Sequence, residues 1–218
     1  MRKSNLSKSE IQDRNRKIMT IVVALFFIGT LVFGSFAFVF LMNPTGQIGF
    51  GGGQSTVQEF GQTFQIVEFE GASWWQTRFN GQDAYFYLLP SQLGIFPLDS
   101  QGFAEIQGAE SVLITFDSSD SNVSVIAESV SLLSETLIQK DILPQLGSTQ
   151  SENEFELDFI TCEMATAQTP VLLIELDERI AGLIQTQDHC YTLSGFDGVE
   201  LIYATEFLRY SLFGIQFE

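Results

Sequence analysis

The chain is poor in the side chains from which metal centres and redox sites are built. It has one histidine, His189, and two cysteines, Cys162 and Cys190, and no C-x-x-C. A lone histidine with these cysteines makes no typical zinc site, and a chain with no spare thiol has nothing to resolve a disulfide exchange. Also missing are the Gly-rich loop with Lys-Ser/Thr that cradles phosphates, the dinucleotide fingerprint, the G-x-S-x-G elbow and H-E-x-x-H. Basic residues run out early: of ten Lys and Arg, only Arg78, Lys140, Arg179 and Arg209 follow residue 17.

One further absence organises the rest. From Ile18 to Met42 there is no charge over 25 residues. As a helix this run is about 37 Å long at 1.5 Å per residue, enough to span a hydrocarbon core of about 30 Å with some tilt. It is longer than the apolar core of a cleaved signal peptide, and Phe36, Phe38, Val39 and Phe40 crowd the stretch where a small-residue cleavage site would lie. The expectation is an uncleaved anchor. Thr30 and Gly34 within it have the small-xxx-small spacing that lets two helices approach closely.

Charge orients this segment. Residues 1–17 hold six basic residues against Glu10 and Asp13, a net +4, while four basic residues against 25 acidic ones leave −21 beyond the run. Positive flanks stay on the cytoplasmic side. The reading is a cytoplasmic basic stub (1–17), a transmembrane helix (18–42) in the lipid bilayer of the cell membrane, a Gly-rich tether (43–56) and an acidic extracytoplasmic domain (57–218). Pro44 stops the helix, and Gly51-Gly52-Gly53 behaves as flexible coil. A domain at −21 repels phosphate backbones, which excludes nucleic acid as a partner. Low Lys content with surface acid also suits high-salt surroundings, where screening weakens self-repulsion.

Within the domain, Val57–Phe69 interleaves apolar residues with Gln and Glu, a half-exposed strand. Trp74–Phe79 and Gln82–Leu89 flank Asn80-Gly81, the dipeptide suited to a type I′ hairpin turn. The continuous apolar run Ala84–Leu89 predicts a strand covered on both faces and ended by Pro90. Val112–Phe116 reads as a buried strand leading through Asp117–Ser121 into a helix from Asn122 to Lys140. Its apolar stripe is Val123, Ile126, Val130, Leu133 and Leu137.

Glu152, Glu154, Glu156 and Asp158 alternate with Asn153, Phe155, Leu157 and Phe159, which predicts a strand with one acidic face. Val171–Leu176 and Cys190–Leu193 are two more buried strands. Asp197 or Gly198 opens a last helix with Leu201, Ala204, Leu208 and Leu212 on one stripe and Gly214 near its end. The fold class expected is an α/β or α+β domain, a layered sheet with two main helices. Trp74 and Trp75 read as core residues, with an exposed docking pair as the alternative.

Few residues are candidates for chemistry. Cys162 and Cys190 form an even pair on the side assigned as outside, which favours one disulfide. Closing a loop of about 28 residues contributes roughly 3 kcal/mol in the chain-entropy model. His189 precedes Cys190, but neighbours on a strand point to opposite faces, so it reads as a polar residue at a strand start. Asp117-x-x-Asp120 sits at a strand-to-helix turn, where α/β folds place ligands, although both residues also suit helix capping. The acidic row Glu152, Glu154, Glu156 and Asp158 offers oxygen ligands for divalent cations such as Ca²⁺, without the loop spacing or glycine of an EF-hand, and equally reads as a solvated face. Asn122-Val123-Ser124 fits the N-glycosylation acceptor pattern. No cofactor is expected.

Three stretches carry a resemblance: Tyr85–Pro90; Phe159–Thr166 followed by Thr169-Pro170-Val171; and Glu200–Ile215 after Cys190. On these the chain resembles uncharacterised single-pass membrane proteins of small-genome archaea. The resemblance implies an archaeal envelope setting and a paired Cys162–Cys190, and it transfers no catalytic residue. The function expected is a non-enzymatic, membrane-tethered extracytoplasmic domain that binds or scaffolds other envelope proteins. The alternatives are an anchored hydrolase using acid groups or a metal around Asp117 and Asp120, and an accessory subunit of a membrane complex.

Overall fold

The computed structural model describes residues 55–217 apart from Glu70 and Glu154. The basic stub, the apolar run with Thr30 and Gly34, and almost all of the tether lie outside the described residues. Among the described residues no helix is long and apolar enough to cross a membrane.

The domain is α+β, with a helix layer held between two sheets. The first sheet is an antiparallel meander of β1 (Thr56–Glu59), β2 (Gln62–Phe69), β3 (Ala72–Phe79) and β4 (Gln82–Phe86). Asn80 and Gly81 at the β3–β4 turn have φ of 50° and 85°, the two positive angles that a type I′ turn requires. Phe60 and Gly61 repeat the device with φ of 49° and 73°. Val57–Phe69 is therefore a hairpin rather than the single strand expected. The strand ends at Phe86, not at Pro90, and Tyr85 stays half-buried while Ala84 and Phe86 are buried.

The second sheet is mixed, in the order β7-β6-β5-β8-β10-β9. Its strands are β5 (Ser111–Phe116), β6 (Leu143–Ser148), β7 (Asp158–Phe159), β8 (Val171–Leu176), β9 (Gly182–Gln187) and β10 (Cys190–Gly195). All neighbouring pairs are parallel except β10 with β9. A parallel β5–β6 pair needs a crossover, and α2 (Val123–Gln139) supplies it. Two other helices complete the layer: α1 (Ser100–Gly108) and α3 (Gly198–Leu212). Helix α1 fits closely because residue 102 is glycine, where a Cβ would stand 2.3 Å from Cδ1 of Tyr191.

One face of the mixed sheet carries the main core. Val112, Ile114 and Phe116 of β5, Leu172 and Ile174 of β8, and Tyr191 and Leu193 of β10 meet Ile126, Val130, Leu133 and Leu137 of α2 and Leu201, Ala204, Leu208 and Leu212 of α3. Both helical stripes expected from the sequence are the ones buried here. Helix α3 is buried on its other side as well, because the meander lies across it: Tyr210 packs with Phe64, Phe79 and Phe86, and Ile202 with Trp74. A helix without a polar face belongs at the centre of a domain, and α3 is that helix.

One further expectation needs correction. Glu152–Asp158 is not a strand: only Asp158–Phe159 pairs, with β6. Asn153 overrides the alternation by folding its amide back on the chain, accepting from Leu157 N at 2.9 Å and donating to Gln150 O at 3.2 Å. Glu156 has φ of 53°, which no strand allows. Among the described residues, Glu152, Glu156 and Asp158 therefore do not line up on one strand face. Trp74 is core, as expected, 8% exposed and stacked on Tyr87, while Trp75 is half-buried.

Candidate functional site

The mixed sheet's second face is built differently from its first. Leu113, Val171 and Cys190 point this way and are covered by Ile160, Cys162 and Ala165. Cys162 and Cys190 are joined, with their Cα atoms 5.4 Å apart and a sequence separation of 28. The disulfide ties the short turn Cys162–Met164 to the start of β10. Thr115 helps, its hydroxyl donating to Ile160 O at 2.9 Å.

Beside this clamp lies a recess of about 410 Å³ lined by Thr115, Thr149, Phe159, Thr161, Cys162, Glu163, Leu173 and Gln187. Phe159 in its lining is half exposed, as is Met164 of the clamped turn. Thr192 lies in register between Leu173 and Ile184, so it faces the same way. It is 2% exposed, and its Oγ1 has no hydrogen-bond partner among the described residues. The only charged side chain in the lining is a carboxylate, Glu163, which favours a neutral or cationic occupant.

The acidic turn after β5 is occupied with its own backbone. Asp117 Oδ1 accepts from the Ser119 hydroxyl at 2.7 Å and from the Ser119 amide at 2.8 Å, and these bonds hold its carboxyl below the usual carboxylate range. Asp120 Oδ1 accepts from the amide of Asn122 at 2.6 Å. Both are turn-forming carboxylates, locally satisfied by hydrogen bonds from their own turn. Neither lines the recess. Asn122 occupies the N-cap position of α2 without a side-chain cap bond and is exposed, as a glycosylation acceptor must be. Among the described residues no group of three or more His, Cys, Asp or Glu is placed to hold a metal ion.

His189 has a partner that sequence reasoning missed. It occupies the β9–β10 turn with φ of 59°, and its Nδ1 lies 2.9 Å from Glu105 Oε2 of α1. The same oxygen accepts from the Tyr191 hydroxyl at 2.6 Å. The Tyr191 hydrogen bond, with help from His189, holds the Glu105 carboxyl low. The pair pins α1 to the turn ahead of Cys190. No cysteine is available to it as a nucleophile, since both are in the disulfide.

The most unusual polar group is buried between the meander and the helices. Glu206 of α3 is fully buried and Arg209 is 1% exposed, with Nη1 to Oε1 at 2.7 Å. Arg209 also donates to Thr136 Oγ1 of α2 and to Tyr85 O, each at 2.8 Å, and its guanidinium carbon lies 4.8 Å from the centroid of the Phe86 ring. A second carboxyl, Glu128 of α2, accepts from the Tyr87 hydroxyl. Burial pushes Glu128 above its usual range and Glu206 up to about 7, in the latter case against the pull of Arg209. The sequence signal was present in α3: Ile202, Phe207 and Tyr210 fall off the apolar stripe, so Glu206-x-x-Arg209 had no solvent face to occupy. Comparison of the chain with protein-family models, curated proteins and solved structures finds no match among them.

Proposed function

We propose that this chain is a membrane-anchored extracytoplasmic domain of the cell envelope, non-enzymatic, that binds another envelope protein at the disulfide side of its mixed sheet. Residues 18–42 hold it in the bilayer, and the +4 stub against the −21 remainder sets the domain outside. An archaeal envelope is the setting that the sequence resemblance suggests. The disulfide accords with an oxidising compartment.

The observation that carries the reading is the unequal cover of the mixed sheet. Sheets that are largely parallel bury both faces. Here one face lies under helices and a second sheet, whereas the other has the short clamped segment 158–165 and leaves Leu173 and Ile184 half-exposed beside the recess. Charge chooses the occupant. Asp158, Glu163 and Asp188 are exposed around this face and no basic side chain lines the recess, so the partner is a protein segment carrying Lys or Arg next to an apolar residue. Asp117 and Asp120, spent on their own turn, give the hydrolase reading no observation of its own.

A photo-crosslinking residue in place of Phe159, in full-length protein in its own membrane, tests this. The expected result is one discrete adduct with an envelope protein, weakened by salt and absent when the probe replaces exposed Ile138 on α2. No adduct from position 159, or the same adducts from both positions, contradicts the reading.

A further inference from the structure

The meander and the helix layer meet through ionisable side chains held out of water. Just beyond β4, the ring of Tyr87 stacks on Trp74 with 4.1 Å between centroids, and its hydroxyl donates to Glu128 Oε1 of α2. Its backbone N–H faces Glu206 Oε1 of α3 at 3.5 Å. Glu128 and Glu206 each keep the second oxygen, Oε2, buried and without a partner among the described residues. The two differ in burial, Glu206 being fully buried and Glu128 half-buried, and in partner. Glu206 has Arg209, whereas no ion pair to Glu128 exists among the described residues: Arg78 is on Asp83, Arg179 on Asp177 and Arg209 on Glu206.

Glu128 has Tyr87 as its hydrogen-bond partner; the other charges acting on that phenol are Glu206 and Arg209 of α3, and Glu206 in turn feels Glu135 of α2. Arg209, the one base in this set, is already engaged by Glu206. A buried carboxylate with a single phenol donor lacks the further hydrogen bonds and the counter-charge that would replace its hydration, so the neutral form is favoured while the joint is closed.

We propose that Glu128 and Tyr87 form a protonation-controlled latch between the meander and the helix layer, closed while Glu128 is neutral and released when it ionises. Release lets water reach the carboxylate by moving Tyr87, and with it the stacked Trp74, off α2. The latch lies on the meander side of the helices, away from the disulfide face.

Trp74 reports its state. In full-length Trp75→Phe protein in detergent micelles, Trp74 is the one tryptophan, since the chain has two. Iodide quenching followed from pH 4.5 to 8.5 is expected to rise at least twofold, with a midpoint above the ordinary carboxylate range. Glu128→Gln keeps a hydrogen-bonding side chain that cannot ionise, and Trp74 stays protected throughout. Glu206→Gln retains the transition, which separates the two acids. A transition that survives in Glu128→Gln, or is absent from the parent, overturns the proposal. Should Glu128→Gln fail to fold by circular dichroism, Tyr87→Phe removes the same contact. Its quenching is then expected to be independent of pH, and a full transition there overturns the proposal equally.

Discussion

The two sides of the helix layer are held by different physics. Toward the mixed sheet, α2 and α3 present Ile126, Val130, Leu133, Leu137, Leu201, Leu208 and Leu212, aliphatic side chains with no ionisable group among them. Toward the meander they present Glu128, Glu206 and Arg209, set among Phe86, Trp74 and Tyr210. The first side holds through removal of apolar area from water, which is indifferent to protons. The second depends on which carboxyls are charged. It follows that one domain joins a fixed half to a half whose attachment answers to pH, and that the meander is the part a change of conditions can move.

Substitutions sharpen this contrast, beginning with the largest expected effect. Arg209→Met leaves Glu206 buried and unpaired, a loss of about 3–5 kcal/mol, whereas the double variant Glu206→Leu/Arg209→Met recovers most of it. Leu133→Ala on the opposite side costs about 2–5 kcal/mol through the cavity it opens. Urea unfolding at two pH values separates them. A carboxyl raised from 4.5 to about 7 binds more protons folded than unfolded between those values, so its contribution is full below about 4.5 and is lost as pH rises through about 7. Stability of the parent therefore falls from pH 5 to pH 7.5. Leu133→Ala keeps that slope, and Glu206→Gln makes it shallower, leaving the part due to Glu128. Equal slopes in parent and Glu206→Gln would break the comparison.

The disulfide belongs to neither side of the layer, so its loss tests whether the outer face is independent. Reduction or Cys162→Ser/Cys190→Ser is expected to cost roughly 3 kcal/mol with no change in the pH slope. In native protein, thiol labelling is expected to fail without reductant. The smallest effect concerns a local feature. Asp197 accepts from the amides of Val199 and Glu200 at the start of α3, and Asp197→Ala is expected to lower stability by about 1 kcal/mol in urea unfolding.

Where signals were local, the fold was legible in the sequence. Asn80-Gly81 marked the β3–β4 hairpin, alternate stripes marked α2 and α3, and short apolar runs marked β5, β8 and β10. Elements with tertiary causes were not legible. β6 begins Leu-Pro and is held by parallel pairing to β5, β9 is a polar edge strand, and α1 contains a glycine, Gly102, that its contact with Tyr191 explains. The alternation from Glu152 to Asp158 misled because an asparagine side chain can replace a strand partner. The site divided in the same way. Cys162 and Cys190 paired as expected, but Glu105 lies 84 residues from His189 and Tyr87 lies 41 from Glu128, separations no spacing rule reaches.

Hydrogen exchange of the full-length protein, compared at pH 5 and pH 8 after correction for the intrinsic rate, tests the contrast between the two sides most directly. Amides of β3 and β4 are expected to lose protection at pH 8 while those of β5, β8 and β10 keep theirs. Uniform loss across both sheets, or a meander as protected at pH 8 as at pH 5, would contradict it.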